Sequence, residues 1–225
     1  MSHLAFSAHT AAYAAGRYLR VVNYHNTPES SRETLRTELA HYAKQFRPWA
    51  IADVDGFFST GSWPGGGPGM LAVFYEGYRN SATVAADVCD ELGITGWFPV
   101  CTAFVDCPVE EQELFARSHD IGLVTEELDG RRLAMSWDEI AALSERHVVT
   151  PHTASHSGME QVGTDEQLHR EVVEPKLKMD AVTGQSAPAM AWLHGSPYGM
   201  SARHDAAVRE AGYRYLISNT MLHRL

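Results

Sequence analysis

The sequence has few cysteines, no excess of positive charge and no long apolar run. Its 3 cysteines, Cys89, Cys101 and Cys107, are odd in number and lack C-x-x-C spacing, which argues against a disulfide framework and a zinc ribbon. A net charge of -10 argues against nucleic acid or an anionic membrane surface as a partner. Because the first residues do not resemble a leader and no stretch has membrane-spanning length, we expect a soluble, cytoplasmic protein.

The apolar residues are sufficient for one sizeable core. With 225 residues, of which 44% are hydrophobic, the chain is expected to form a single domain, 1–225, with an N-terminal extension over 1–18. No repeat or charge block divides it, and we interpret "GSWPGGGPG" as a loop inside the domain. The composition favours a small or neutral substrate and predicts no particular oligomer.

Strand and helix patterns alternate along the chain. Strand character is clear in "YLRVVNYH", "MLAVF", "ITGWFPV", "VVTPH" and "AMAWLH", and helical patterns separate these segments. One helix begins at a capping box formed by Ser136 and Glu139. This alternation predicts an α/β fold with a parallel sheet, best described as a distorted or incomplete (β/α) barrel. We interpret Asp53 and Asp55 as turn residues.

A pair of histidines follows one predicted strand. The segment "PHTASHS" places His152 and His156 four residues apart, so that a helical turn would bring both imidazoles to one cation. Glu76 follows the strand "MLAVF" and is the best-placed carboxylate to complete a set of two histidines and one carboxylate. The alternative is ordinary surface histidines and a solvated turn carboxylate, since neither feature is specific by itself.

Four segments together resemble one known family. They are "VVNYHNTP", "GMLAVFYEGYRNSATVAADVCDELGITGWFPV", "MSWDEIAALSERHVVTPHTASHSGM" and "AWLHGSPYGMSARHDAAVREAGYRYLI". In this order they resemble the polysaccharide deacetylases, which are carbohydrate esterase family 4 with the NodB-homology domain. The resemblance extends from about Val21 almost to the C-terminus, and the shared order is far more specific than any single motif.

The resemblance implies a fold, an activity and a set of site residues. It implies a distorted (β/α) barrel that removes an acyl group from the amide of an N-acetyl sugar or a similar small molecule. The expected cofactor is a divalent metal, zinc first, with cobalt, nickel or iron as alternatives, bound by Glu76, His152 and His156. Tyr75 falls on the position of the catalytic base, and the backbone N–H of Tyr198 corresponds to the oxyanion donor.

Two of these positions depart from the family pattern. Glu76 replaces an aspartate and keeps the ligand oxygen while adding a methylene. Tyr75 also replaces an aspartate, and a phenol with a pKa near 10 is a poor proton acceptor for a metal-bound water with a pKa of about 7. Losing a positioned base typically lowers a rate by about 10²- to 10⁴-fold. His25 and His194 are candidate substitutes, and each is equally readily a structural histidine.

Three hypotheses follow from these departures. The first is a metal-dependent hydrolase with an altered general base. In the second, the same fold and metal site perform non-hydrolytic chemistry, for which Tyr75 could donate a hydrogen bond or act as an acid. In the third, the protein is a catalytically silent carbohydrate-binding member, and Tyr75 is only an aromatic wall.

Overall fold

Two β-sheets form the centre of the fold. A computed structural model describes residues 10–65 and 67–225, so residues 1–9 of the predicted N-terminal extension lie outside it. The strands are β1 (Leu19–Tyr24), β2 (Arg47–Pro48), β3 (Gly69–Phe74), β4 (Gly96–Val100), β5 (Val148–Pro151), β6 (Ala189–Ala191), β7 (Tyr215–Ile217) and β8 (Leu222–Arg224).

Helices connect most of the strands. They are α1 (Arg32–Gln45), α2 (Ile51–Thr60), α3 (Ala86–Leu92), α4 (Thr102–Asp106), α5 (Gln112–Ser118), α6 (Trp137–Ser144), α7 (Asp165–Leu168), α8 (Glu174–Thr183) and α9 (Ala202–Glu210). A π-helical turn, Ser81–Ala85, leads into α3, and another, His169–Val173, joins α7 to α8. No helix among residues 10–65 and 67–225 combines the length and the apolar character that crossing a membrane requires.

The two sheets do not close into a barrel. The first has the order β1-β3-β4-β5 with every pairing parallel, and β2 pairs with the start of β3. The second pairs β6 with β7 in parallel and β7 with β8 in antiparallel orientation. The described residues contain no strand ladder between the sheets. The expected α/β fold with a distorted or incomplete barrel is therefore confirmed.

Side chains join the two sheets where backbone pairing is missing. On one side, Thr150 Oγ1 of β5 accepts a hydrogen bond from the backbone N of Ala189 at 3.2 Å and donates one to its carbonyl oxygen. On the other side, Asn23 Nδ2 of β1 donates to the carbonyl oxygen of Asn219, after β7, at 2.7 Å. Both contacts lie near strand ends and keep the open barrel together.

Strand β3 carries the apolar alternation that organises the core. Met70, Ala72 and Phe74 pack in one cluster with residues of α1 and α3. Leu71 and Val73 pack in a second cluster with residues of β4, β6 and β7. Alternate residues of β3 therefore enter opposite clusters, as expected for a strand that is buried on both faces. The residue after β3, at position 75, continues the second series into the space between the sheets.

Three local interpretations from the sequence need correction. Asp53 and Asp55 are helical residues of α2, and not turn residues: Asp53 accepts the backbone N–H of Ala50 at 3.0 Å, and Asp55 accepts the Tyr215 hydroxyl at 2.6 Å. The sequence patterns also missed α5 and β8. Strand β8 has three residues, of which Leu222 is buried, so it is too short for a periodic pattern.

Candidate metal centre and its cavity

A left-handed turn at the end of β3 directs Glu76 inward. Glu76 has φ 68° and Gly77 has φ 84°. A Cβ at Gly77 would lie 2.7 Å from Val100 Cγ1, so only glycine fits beside β4. A left-handed non-glycine residue is unfavourable by about 1–3 kcal/mol and persists where its surroundings hold it. The turn leaves the Glu76 side chain only 3% exposed.

The residues after this turn fix the walls of a cavity. Tyr78 donates its hydroxyl to the carbonyl oxygen of Gly122 at 2.7 Å. Asn80 Oδ1 accepts the backbone N–H of Thr27 at 3.1 Å. The segment that follows β3 therefore holds both the exit of β1 and the segment around Gly122.

Backbone hydrogen bonds place the two histidines after β5. The backbone N of His152 donates to Val100 O at 2.9 Å, and the backbone N–H of Thr153 donates to His152 Nδ1 at 2.9 Å. His156 has φ 59° and donates its Nδ1–H to His119 O at 2.7 Å. Metal-binding histidines commonly donate one ring nitrogen to a carbonyl in this way, which orients the other ring nitrogen for the metal.

Glu76 and the two histidines form a compact buried cluster. One ligand atom from each of Glu76, His152 and His156 lies within 4.8 Å of the others. His156 Nε2 is 3.4 Å from Glu76 Oε1, a separation that a shared cation would bridge. One carboxylate and two imidazoles are ligands that zinc, cobalt, nickel and iron accept. The cluster therefore fits a divalent metal.

The protonation states of the cluster suit metal binding. Burial, together with nearby His156, lowers the pKa of His152 to about 3, so this ring is neutral at neutral pH. Burial alone would raise the pKa of Glu76, but hydrogen bonds to His156 and His25 bring it below its ordinary value. A neutral imidazole and an ionised carboxylate are the forms from which metal binding proceeds, and these shifts favour both forms.

His25 contacts the same carboxylate from the solvent side. Its Nδ1 is 2.9 Å and 3.0 Å from the two carboxylate oxygens of Glu76, and its side chain is 64% exposed. The hydrogen bond to Glu76 raises the pKa of His25. His25 therefore lies beside the candidate ligands and remains open to a substrate.

Tyr75 is buried between two histidines. Its ring is stacked on His25 at 5.5 Å and meets the edge of His152 at 5.9 Å. Its hydroxyl donates to Asn23 Oδ1 at 3.0 Å. Burial, and then the charge of Glu76, raises the pKa of Tyr75 well above its ordinary value. The phenol is consequently neutral and is no proton acceptor at neutral pH.

The cluster lies at one end of a cavity of about 600 Å³. Its walls come from the segments after β1, β3, β5, β6 and β7 and from the segment 120–124. Four non-glycine residues of the described chain have positive φ, and all four line this cavity: Glu76, Asp120, His156 and His194. Strained backbone concentrates at functional sites, so this clustering marks the cavity as a candidate site.

Six of the seven residues that the sequence identified line this cavity: His25, Tyr75, Glu76, His152, His156 and His194. Tyr198 lies outside the lining, and its hydroxyl accepts a hydrogen bond from Arg209 Nη1 at 2.9 Å. Its role as a backbone oxyanion donor stays a prediction. Sequence reasoning missed Asp120, whose exposed carboxylate lines the cavity without any local motif to identify it.

A buried carboxylate that the sequence did not reveal supports the histidine loop. Glu171, in the second π-helical turn, is 1% exposed. Its two carboxylate oxygens accept the backbone N–H and the hydroxyl of Ser155, each at 2.9 Å. Glu171 therefore fixes the loop between His152 and His156, at the residue that precedes His156.

Comparison with known proteins identifies the fold. No protein-family model and no curated protein matches the sequence. Among solved structures, IcaB from Ammonifex degensii matches with a TM-score of 0.66 and 17% identity over 88% of this chain and 82% of that one. A de-N-acetylase from Aggregatibacter actinomycetemcomitans matches with a TM-score of 0.65 and 11% identity, covering 92% and 90%.

A third structure gives the same result. The Streptococcus pyogenes deacetylase PplD, in complex with acetate, matches with a TM-score of 0.62 and 13% identity over 86% of this chain and 81% of that one. This chain therefore has the NodB-like fold of the polysaccharide deacetylases, as the resemblance of its segments implied. At these identities the comparison establishes the fold.

Proposed function

We propose that this protein is a metal-dependent hydrolase that removes an acyl group from the amide of an N-acetyl sugar or a similar small molecule. One observation carries the proposal: one ligand atom from each of Glu76, His152 and His156 lies within 4.8 Å of the others, in a buried cluster within a deacetylase fold. A divalent metal, zinc first, bound there would polarise the amide carbonyl and lower the pKa of a bound water.

The chain's own residues would orient the ligands and carry protons. The carbonyl of His119 holds the His156 ring in position. Tyr75 keeps its proton, so we assign proton transfer to His25 or His194, which both line the cavity. His25 Nδ1 faces Glu76, which leaves Nε2 as its nitrogen for exchange with a substrate. The backbone N–H of Tyr198 remains the proposed oxyanion donor.

The charge of the cavity favours a neutral or cationic substrate. Among the described residues, no arginine or lysine lines the cavity, whereas Asp120 contributes an exposed carboxylate. An anionic sugar, such as a phosphorylated one, would find no cationic side chain there. A carboxylate can accept hydrogen bonds from sugar hydroxyls or from an ammonium group. The cytoplasmic location and the single-domain organisation expected from the sequence stay predictions.

Acetate release tests the proposal. Zinc-loaded protein is incubated with N-acetylglucosamine and its short oligomers, and acetate is measured. We expect release that a chelator stops and that added zinc or cobalt restores. His156→Ala should abolish it, whereas His41→Ala, an exposed histidine of α1, should not. If metal-loaded, folded protein released no acetate, deacetylation of these sugars would be excluded, and the non-hydrolytic and the catalytically silent alternatives would stand.

A further inference from the structure

A chain of hydrogen bonds connects Tyr75 to the segment that carries His194. The Tyr75 hydroxyl donates to Asn23 Oδ1 at 3.0 Å. Asn23 Nδ2 donates to Asn219 O at 2.7 Å. Asn219 Nδ2 donates to His194 O at 3.1 Å. The chain thus runs from the end of β3, through β1 and the segment after β7, to the segment after β6.

The phenol proton sets the direction of this chain. A phenol that donates requires the oxygen of the Asn23 amide to face it, and the NH₂ group of Asn23 then faces Asn219. A phenylalanine at position 75 would remove this constraint without removing the ring.

The segment that receives the chain has a strained backbone. His194 has φ 63° and Gly195 has φ 65°, two successive left-handed residues. A Cβ at Gly195 would collide with Asn219 Oδ1, so the two segments are in close contact. A left-handed histidine persists only where neighbouring contacts hold it. The hydrogen bond from Asn219 to the His194 carbonyl is such a contact.

We propose that Tyr75 is a positioning residue that holds the His194 segment at the cavity through Asn23 and Asn219. The described residues contain no backbone ladder between β1 and β7, so these side chains form the junction at this end of the barrel. The tether itself is independent of the reaction, and only the use of His194 in proton transfer rests on the proposed function.

Hydrogen exchange tests the tether without any substrate. Tyr75→Phe keeps the ring that contacts His25 and His152 and removes only the hydroxyl. A lost hydrogen bond changes a local equilibrium by about 1 kcal/mol, so we expect exchange of the amides of residues 193–195 to accelerate about 5-fold. The matched control is Tyr215→Phe, which removes a hydroxyl bonded to Asp55 outside the cavity and should leave these amides unchanged. Unchanged exchange at 193–195 in folded Tyr75→Phe would overturn the tether.

Kinetics with N-acetylglucosamine oligomers test whether the tether positions His194 for proton transfer. Tyr75→Phe and Asn219→Ala should each lower kcat about 5-fold, with KM and zinc content unchanged. Their combination should be no worse than either alone, because both interrupt one chain. Neither should lower kcat further in a His194→Ala background. Additive losses, or losses that persist without His194, would overturn the assignment to this residue. Absent turnover in the wild type would refute the proposed function and leave the exchange result to decide the tether.

Discussion

The cavity has two halves that are built differently. Glu76, His152 and His156 follow strands of the first sheet, where every pairing is a backbone ladder. His194 and Asn219 follow strands of the second sheet, which side chains join to the first at both edges. The backbone hydrogen bonds of a ladder fix strand ends cooperatively, whereas each contact between the two sheets depends on one or two side chains. The candidate metal ligands are therefore positioned mainly by backbone pairing, and the second wall is positioned mainly by individual side chains.

This difference predicts that the two halves respond separately to mutation. Changes in the ligand cluster should remove metal and spare the second wall. Changes at the junctions should loosen the second wall and spare the metal.

The largest effect is expected at the carboxylate ligand. Glu76→Gln removes the negative charge and replaces one ligand oxygen with an NH₂ group. We expect zinc affinity to fall by more than about 100-fold, beyond the 10- to 100-fold typical of residues that only support a ligand. Competition with a zinc-binding dye measures this. Glu113→Gln, in an exposed ion pair with Arg117, should bind zinc as the wild type does.

A substitution at the junction of β5 and β6 should change the stability of the fold and leave the zinc affinity unchanged. Thr150→Val keeps the shape of the fully buried side chain and removes both hydrogen bonds to Ala189. We expect a loss of about 1–3 kcal/mol in the free energy of unfolding, because the Ala189 backbone groups lose their partner. Urea unfolding measures it. A simultaneous large loss of zinc affinity in folded Thr150→Val would contradict the separation of the two halves.

Weakening the support of the histidine loop should lower the zinc affinity by an intermediate factor. Glu171→Gln keeps the size of the buried side chain but can accept only one of the two bonds from Ser155. We expect zinc affinity to fall about 10-fold, at the low end for groups that orient ligands. Glu174→Gln, an exposed neighbour on α8, serves as the control. Equal affinity in Glu171→Gln and the wild type would show that the loop keeps its shape without this carboxylate.

The smallest effect should appear in substrate preference. Asp120→Lys reverses the charge of an exposed residue of the cavity wall. Since exposed ion pairs contribute up to about 1 kcal/mol, KM for a neutral N-acetyl sugar relative to its 6-phosphate should shift by up to about 5-fold towards the phosphate. An unchanged ratio would mean that the substrate does not approach Asp120.

The ligand half is also the half that could be predicted from the sequence. The spacing of His152 and His156 and the position of Glu76 after a buried strand made them candidates, and the resemblance of their segments to the deacetylases identified them as a set. The tethers could not be predicted, since Asn23 and Asn219 are 196 residues apart and no local pattern relates them. In the sequence, Tyr75 is notable only because it departs from the family motif. Its hydrogen-bond partner, Asn23, is identified only by the structure.

The central claim is that Glu76, His152 and His156 bind one divalent metal. Anomalous diffraction at the zinc edge, from crystals grown with zinc, tests it most directly. We expect one strong peak enclosed by these three side chains, at about 2.0–2.2 Å from each ligand atom, and no peak there in Glu76→Gln. Zinc-containing crystals of the wild type with no peak between these residues would contradict it.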